Sequence, residues 1–172
     1  MGSFPFTIIE GISQKINVGT TGVIKVQLIF RTIDHEKLSR LHDFIFMLNK
    51  ESENGSVIVV EGKRDVKALT SAGFNGNLSV FNHFRGVTDF VDSHSLTNKK
   101  IILLFDMDRT GKHLTRKLLS QLQYRGGNVS LLYKKKMAGI DNGKIRHVED
   151  LSSYAPYLSG ITGSRPDLYF YT

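Results

Sequence analysis

The chain of 172 residues contains no cysteine. That excludes disulfides, a thiolate nucleophile and cysteine-ligated zinc, and it fits a reducing cytoplasm, the expected location. No apolar stretch is long enough to span a bilayer, so no membrane partner is expected. The N-terminus lacks a basic region followed by an apolar run, so no signal peptide is expected. Internal repeats and low-complexity segments are also missing. Acidic residues are absent from one region in particular. Residues 112–136 hold Lys112, Arg116, Lys117, Arg125, Lys134, Lys135 and Lys136 without one Asp or Glu. These seven charges equal the formal net charge of +7, so the remainder of the chain sums to zero. Positive charge gathered in one zone points to a polyanion, and nucleic acid is the expected partner.

What the chain does have is two short apolar runs that stop at carboxylates. Val57-Ile58-Val59-Val60 leads into Glu61-Gly62, and Ile101-Ile102-Leu103-Leu104-Phe105 leads into Asp106-Met107-Asp108-Arg109-Thr110-Gly111. Short unbroken runs rich in Val and Ile read as strands buried on both faces of a parallel sheet. Ligands of open α/β sheets sit beyond the carboxyl ends of the strands, so Glu61, Asp106 and Asp108 are expected at one edge. Three carboxylates there repel unless a cation neutralises them, and hard divalent ions, Mg²⁺ above all, take oxygen ligands of this kind.

The remaining patterning alternates strands with helices. A helix is expected over residues 34–50, where Leu38, Leu41, Ile45 and Leu48 recur at helical spacing. Further helices are expected near 65–72, 87–95, 111–124 and 149–158. Strands are expected at 57–60, 78–81, 101–105 and 129–133, with another at 144–148. Residues 1–33 read as an N-terminal hairpin or arm, because Ile24-Lys25-Val26-Gln27-Leu28 alternates after the Gly19–Gly22 turn signal. The expected organisation is an N-terminal arm and helix over 1–53, a main α/β domain over 54–158 and a tail over 159–172. Alternating strands and helices imply crossover connections and a largely parallel sheet.

Three readings compete for Asp106-Met107-Asp108-Arg109-Thr110-Gly111. An EF-hand loop fits for six positions, but its twelfth should be a bidentate Glu and is Lys117. An Asp-nucleophile phosphohydrolase matches Asp-x-Asp-x-Thr literally, but its motif needs a later Lys and acidic pair for which only Glu149-Asp150 offers. The third reading uses both runs. Val57 to Gly62, then Lys63-Arg64-Asp65-Val66-Lys67-Ala68-Leu69, then the acidic pair, resembles the Toprim domain over roughly residues 56 to 135. That domain is shared by bacterial-type primases, topoisomerases, recombination-mediator proteins and ribonucleases that mature ribosomal RNA. The likeness is greatest to small stand-alone, primase-like Toprim proteins, which also carry a preceding helix and a stretch like Val148-Glu149-Asp150-Leu151.

The resemblance implies a Rossmann-like sheet of about four mainly parallel strands between helices. It implies a general acid or base at Glu61 and Mg²⁺ (or Mn²⁺) held by Asp106 and Asp108 together with Glu61. Topoisomerases carry a third acid where this chain has Thr110, so the pattern is of the primase and nuclease type. Gly62 and Gly111 are expected to let backbone approach a phosphate. Lys63 and Arg64 flank the Glu61 turn. Arg109, Lys112 and Arg116 share a helix face that starts at the acidic pair and forms the preferred nucleic-acid track. Lys134, Lys135 and Lys136 are expected in a phosphate-contacting loop. The six histidines show no ligand spacing and are expected to be structural or at the surface. Two functions follow: an Mg²⁺-dependent enzyme that cleaves or transfers at phosphodiesters, or a non-catalytic RNA-binding or ribosome-associated module. RNA is favoured slightly over DNA.

Overall fold

The computed structural model describes residues 35–158, Leu96 excepted. The expected N-terminal hairpin and the 159–172 tail lie outside the described residues. Helix α1 (His35–Glu53) precedes strand β1 (Val57–Val60), α2 (Lys63–Ser71) and β2 (Leu78–Val80). After a 3₁₀ turn (Phe81–His83) come α3 (Val87–His94), β3 (Ile101–Leu103), α4 (Arg109–Tyr124) and β4 (Val129–Ser130). Helix α5 (Leu132–Gly139), a 3₁₀ segment (Val148–Tyr154) and α6 (Ala155–Leu158) follow.

The four strands form one parallel sheet in the order β2-β1-β3-β4. The apolar runs behave as both-face-buried strands must. Ile58, Val60, Ile102 and Leu104 point to one layer, with Leu41, Phe44, Ile45 and Leu48 of α1 and Leu69 of α2. Val59, Ile101, Leu103 and Phe105 point to the other, with Phe90 of α3 and Leu118 and Leu122 of α4. This alternation at period two is why an unbroken apolar run serves as a central strand.

The strand order reverses direction between β1 and β3. From β1 the chain crosses through α2 to β2 on one side, and β3 lies on the other side of β1. Such a switch opens a crevice at the carboxyl ends. Val59 pairs with Leu103. Two residues beyond that pairing on β1 is Glu61, and three beyond it on β3 is Asp106.

Four sequence expectations are corrected. The strand expected over 129–133 stops at Ser130, because the chain turns into α5 and puts Tyr133 and Met137, one helical turn apart, into the core. The lysine run is therefore helical rather than a loop. No strand forms at 144–148; that segment is irregular and contributes one ladder-like bond, Met107 N–H to the Arg146 carbonyl at 2.7 Å. The closing helix divides into a 3₁₀ segment and α6. Pro156 stands in the first turn of α6, where its missing N–H costs nothing.

Candidate functional site

Glu61 follows β1 directly and is half-buried. Its turn is held by Asp65, which is only 5% exposed. One carboxylate oxygen of Asp65 accepts from the Glu61 N–H at 3.1 Å and from the Gly62 N–H at 2.9 Å. Donors at the start of α2 are thereby satisfied, and the backbone that carries Glu61 is clamped. Sequence reading placed Asp65 at a helix start without giving it this task.

Asp106 and Asp108 follow β3. Asp106 accepts from the Val148 N–H through Oδ1 and from His147 Nδ1 through Oδ2, both at 2.9 Å. The segment that supplies these donors is clamped by Asp150, whose Oδ2 accepts from the Arg146 and His147 N–H groups at 3.0 Å each. Asp65 and Asp150 thus do the same work on two turns that converge on the acidic edge. The hydrogen bond to Asp106, outweighing burial, raises the His147 pKa above the ordinary imidazole value. His147 is a surface histidine, as expected, with a structural task at the site that the sequence reading did not assign to it. It carries no motif spacing that would have revealed it.

Asp108 is the N-cap of α4 and accepts from the Gly111 N–H at 2.7 Å. Gly111 is buried against Asp106: a Cβ there would lie 2.4 Å from the Asp106 carbonyl oxygen. Its lack of a side chain serves the contact between α4 and the end of β3. Gly62 is different. Its extended backbone is open to any residue, and a Cβ would meet only the Asn82 amide at 3.5 Å.

Below the aspartates lies Lys134. It is 7% exposed, and its Nζ donates to the Asp106 carbonyl at 3.0 Å and to Thr115 Oγ1 at 2.7 Å. Burial lowers its pKa, while Asp106 and Asp108 pull the other way. The three lysines of the run diverge because they are helical. Lys135 is exposed, and Lys136 leans on α1, with Nζ 3.5 Å from the Met47 sulfur.

Glu61, Asp106 and Asp108 line one open depression of about 510 Å³, with Lys63, Arg64 and Thr110 on its rim. Burial pushes the Glu61 carboxyl above the usual carboxylate range, and Asp106, Asp65 and Asp108 add to the shift; Lys134 opposes it. Among the described residues, no three acidic or histidine side chains are set closely enough to grip a metal ion as they stand. The donor chemistry nevertheless suits a hard cation. All three groups are carboxylates, and beside burial the charges of Asp106, Asp65 and Asp108 raise the Glu61 pKa further than Lys134 lowers it. Each Asp106 oxygen retains a lone pair beyond the hydrogen bond it accepts.

The other predicted cations sit where helix geometry puts them. Lys63 and Arg64 are exposed at the start of α2, and Arg64 faces Glu149 at 3.9 Å. Arg109, Lys112 and Arg116 are exposed on α4 and lead away from Asp108. Phe81 and Phe84 are half-buried and pack against Phe90, Phe84 edge-on.

The Toprim domain profile matches residues 56–139. A UPF0292 protein from Archaeoglobus fulgidus is 33% identical over 114 residues, which cover 66% of this chain and 88% of that protein. The chain belongs to the UPF0292 family and carries a Toprim domain. A UPF0292 protein from Methanosarcina barkeri is 31% identical over 131 residues, covering 76% of this chain and 91% of the relative. A solved structure of a protein from Aquifex aeolicus superposes with a TM-score of 0.54 at 30% identity, covering 63% of this chain and 94% of the other. The Toprim domain points to a metal-dependent, nucleic-acid-related function. Glu61, Asp106, Asp108 and Lys134 lie inside its matched span; His147 and Val148, which hold Asp106, and Asp150, which holds their turn, lie beyond it. No helix among the described residues is long and apolar enough to cross a membrane.

Proposed function

We propose that this Toprim protein is an Mg²⁺-dependent enzyme, with Mn²⁺ as a substitute, that cleaves or transfers at phosphodiesters in nucleic acid, RNA ahead of DNA. The observation that carries the reading is the juxtaposition at the β1–β3 switch: Glu61, with its pKa raised, opens on the same depression as Asp106 and Asp108. Asp106, Asp108 and Glu61 would hold the ion. When bound, it neutralises charge on the phosphate and acts as a Lewis acid. Glu61 takes or returns the proton of the attacking or leaving oxygen. Lys63 and Arg64 bind phosphates on one rim. Arg109, Lys112 and Arg116 carry the strand away along α4. The α2 and α4 N-termini, at Lys63 and Arg109, add favourable dipoles for phosphate. The proposed place of action is the cytoplasm, which suits a cysteine-free chain.

A second reading is favoured by one specific observation: no three potential ligands among the described residues are pre-set for an ion. It makes the protein a non-catalytic RNA-binding or ribosome-associated module whose depression docks phosphate. The test is incubation of labelled RNA and DNA with Mg²⁺, Mn²⁺ or EDTA, beside Glu61→Gln and Asp106→Asn. Metal-dependent product that disappears in both variants supports the enzyme. Salt-sensitive binding without product, indifferent to Glu61→Gln, supports the module.

A further inference from the structure

A second depression, of about 400 Å³, lies between α4 and α5. That is within the roughly 300–1,000 Å³ common for small-molecule sites. Its lining is almost wholly carbon, from Met107, Leu131 and Ala138 and from the stems of the long side chains beside them. Lys112, Arg116 and Lys135 line it from the two helices, and all three are exposed. No carboxylate contributes to the lining among the described residues. The lysine and arginine ion pairs of the described residues engage Lys37, Arg40, Lys50, Arg64, Lys100 and Arg125, and do not include these three cations. Lys134 adds a fourth positive charge in the wall, with its own Nζ already occupied by Thr115 and the Asp106 carbonyl.

Cations at one-turn spacing repel each other unless an anion bridges them, and an apolar floor gains nothing from a small hydrated ion. The chemistry that satisfies both is an anion attached to an apolar, flat body. We infer that the α4–α5 depression binds a nucleoside phosphate, with the base on Met107, Leu131 and Ala138 and the phosphate at Lys112, Arg116 and Lys135. Thioether sulfur packs favourably against aromatic rings, which suits Met107 to a base. Met107 also stands between Asp106 and Asp108, so the depression adjoins the acidic one. Preferring a nucleotide over another apolar anion rests on the nucleic-acid reading above. The nucleotide is either free or the end of a strand.

The test is calorimetric titration of the whole chain in EDTA, so that metal plays no part. The probes are AMP, inorganic phosphate, adenosine, octanoate and a 5′-phosphorylated tetraadenylate. AMP is expected to bind about ten-fold or more tighter than phosphate, adenosine or octanoate, because only it meets both floor and cations. Ala138→Leu, which fills the floor, and the surface pair Lys112→Ser/Arg116→Ser are each expected to weaken AMP about ten-fold. If circular dichroism shows that Ala138→Leu does not fold, the surface pair decides alone. Tighter AMP than tetranucleotide identifies a free nucleotide; the reverse identifies a strand end. Absence of saturable binding by either overturns the site, as does octanoate equal to AMP, or AMP affinity unchanged in the folded variants. Loss of catalysis in the Glu61 and Asp106 variants would leave this result untouched, so the two readings fail separately.

Discussion

Asp106 and His147 are 41 residues apart and joined by a 2.9 Å hydrogen bond from Nδ1 to Oδ2. With the Val148 N–H on the other oxygen, this bond fixes the carboxylate plane at the end of β3. His147→Ala removes one of the two restraints. Partners of metal-binding groups typically affect affinity or rate by about 10–100-fold. A loss of that size is expected in Mg²⁺-dependent turnover or Mg²⁺ affinity, with His147→Gln retaining more than His147→Ala. Equal losses in the two variants would argue against a positioning role. The raised imidazole pKa also contributes stability that is full below the unfolded-state value and disappears as pH rises through the folded value. Melting curves across neutral pH should show that slope in the natural protein and lose it in His147→Ala.

Glu61 gives a second pH signature, with its own sign. Its folded-state pKa is raised, so the folded protein holds the proton more tightly than the unfolded chain. Stability contributed by the protonated form is complete below the unfolded value and is lost as pH rises through the folded value. Asp108→Asn removes one of the negative neighbours, while Asn still caps α4 well. The Glu61 pKa is expected to fall in that variant, read by carboxyl ¹³C titration. An unchanged value would mean that burial, Asp106 and Asp65 set it without Asp108.

Lys134 works inside the site rather than on its surface. Lys134→Met keeps the volume but removes the charge and leaves the Asp106 carbonyl and Thr115 hydroxyl without their donor. A loss of about 1–3 kcal/mol is expected in denaturant unfolding, the cost of stranding buried polar groups. Glu61 should titrate higher still, since Lys134 is what restrains its shift. A solvent-facing phosphate contact would show neither effect.

Gly111→Ala sets two magnitudes against each other. Helix propensity favours Ala by about 1 kcal/mol. The added Cβ, however, would lie 2.4 Å from the Asp106 carbonyl oxygen and 3.0 Å from its carbon, both of them backbone. Overpacking of this kind costs about 1–3 kcal/mol or more, so net destabilisation is expected in thermal melts. Stabilisation would show that the end of β3 yields easily.

The parallel sheet was readable because both its faces are buried. An apolar run such as 57–60 or 101–105 has no other comfortable place, and the carboxylates that end it must emerge at the crevice. The turn into α5 was not readable: Leu132-Tyr133-Lys134-Lys135-Lys136-Met137 gives only Tyr133 and Met137 as core anchors, too few for a helical period. The 144–148 segment failed for a related reason. Ile145 and Val148 are both buried but stand three residues apart, off the period of a strand, and the backbone donors between them go to the carboxylates of Asp150 and Asp106 instead of to a neighbouring strand.

The sequence by itself determined a parallel α/β sheet with Glu61, Asp106 and Asp108 at one edge, because burial is written into each short apolar run and the helices between runs return the chain in the same direction. Only the tertiary structure decided what surrounds those carboxylates. Lys134 turns inward beneath Asp106, and His147 and Val148 hold it from a segment with no periodicity of its own. Such pairings depend on which helix face meets which strand end, and that is settled by packing across the whole fold rather than by neighbours in the chain.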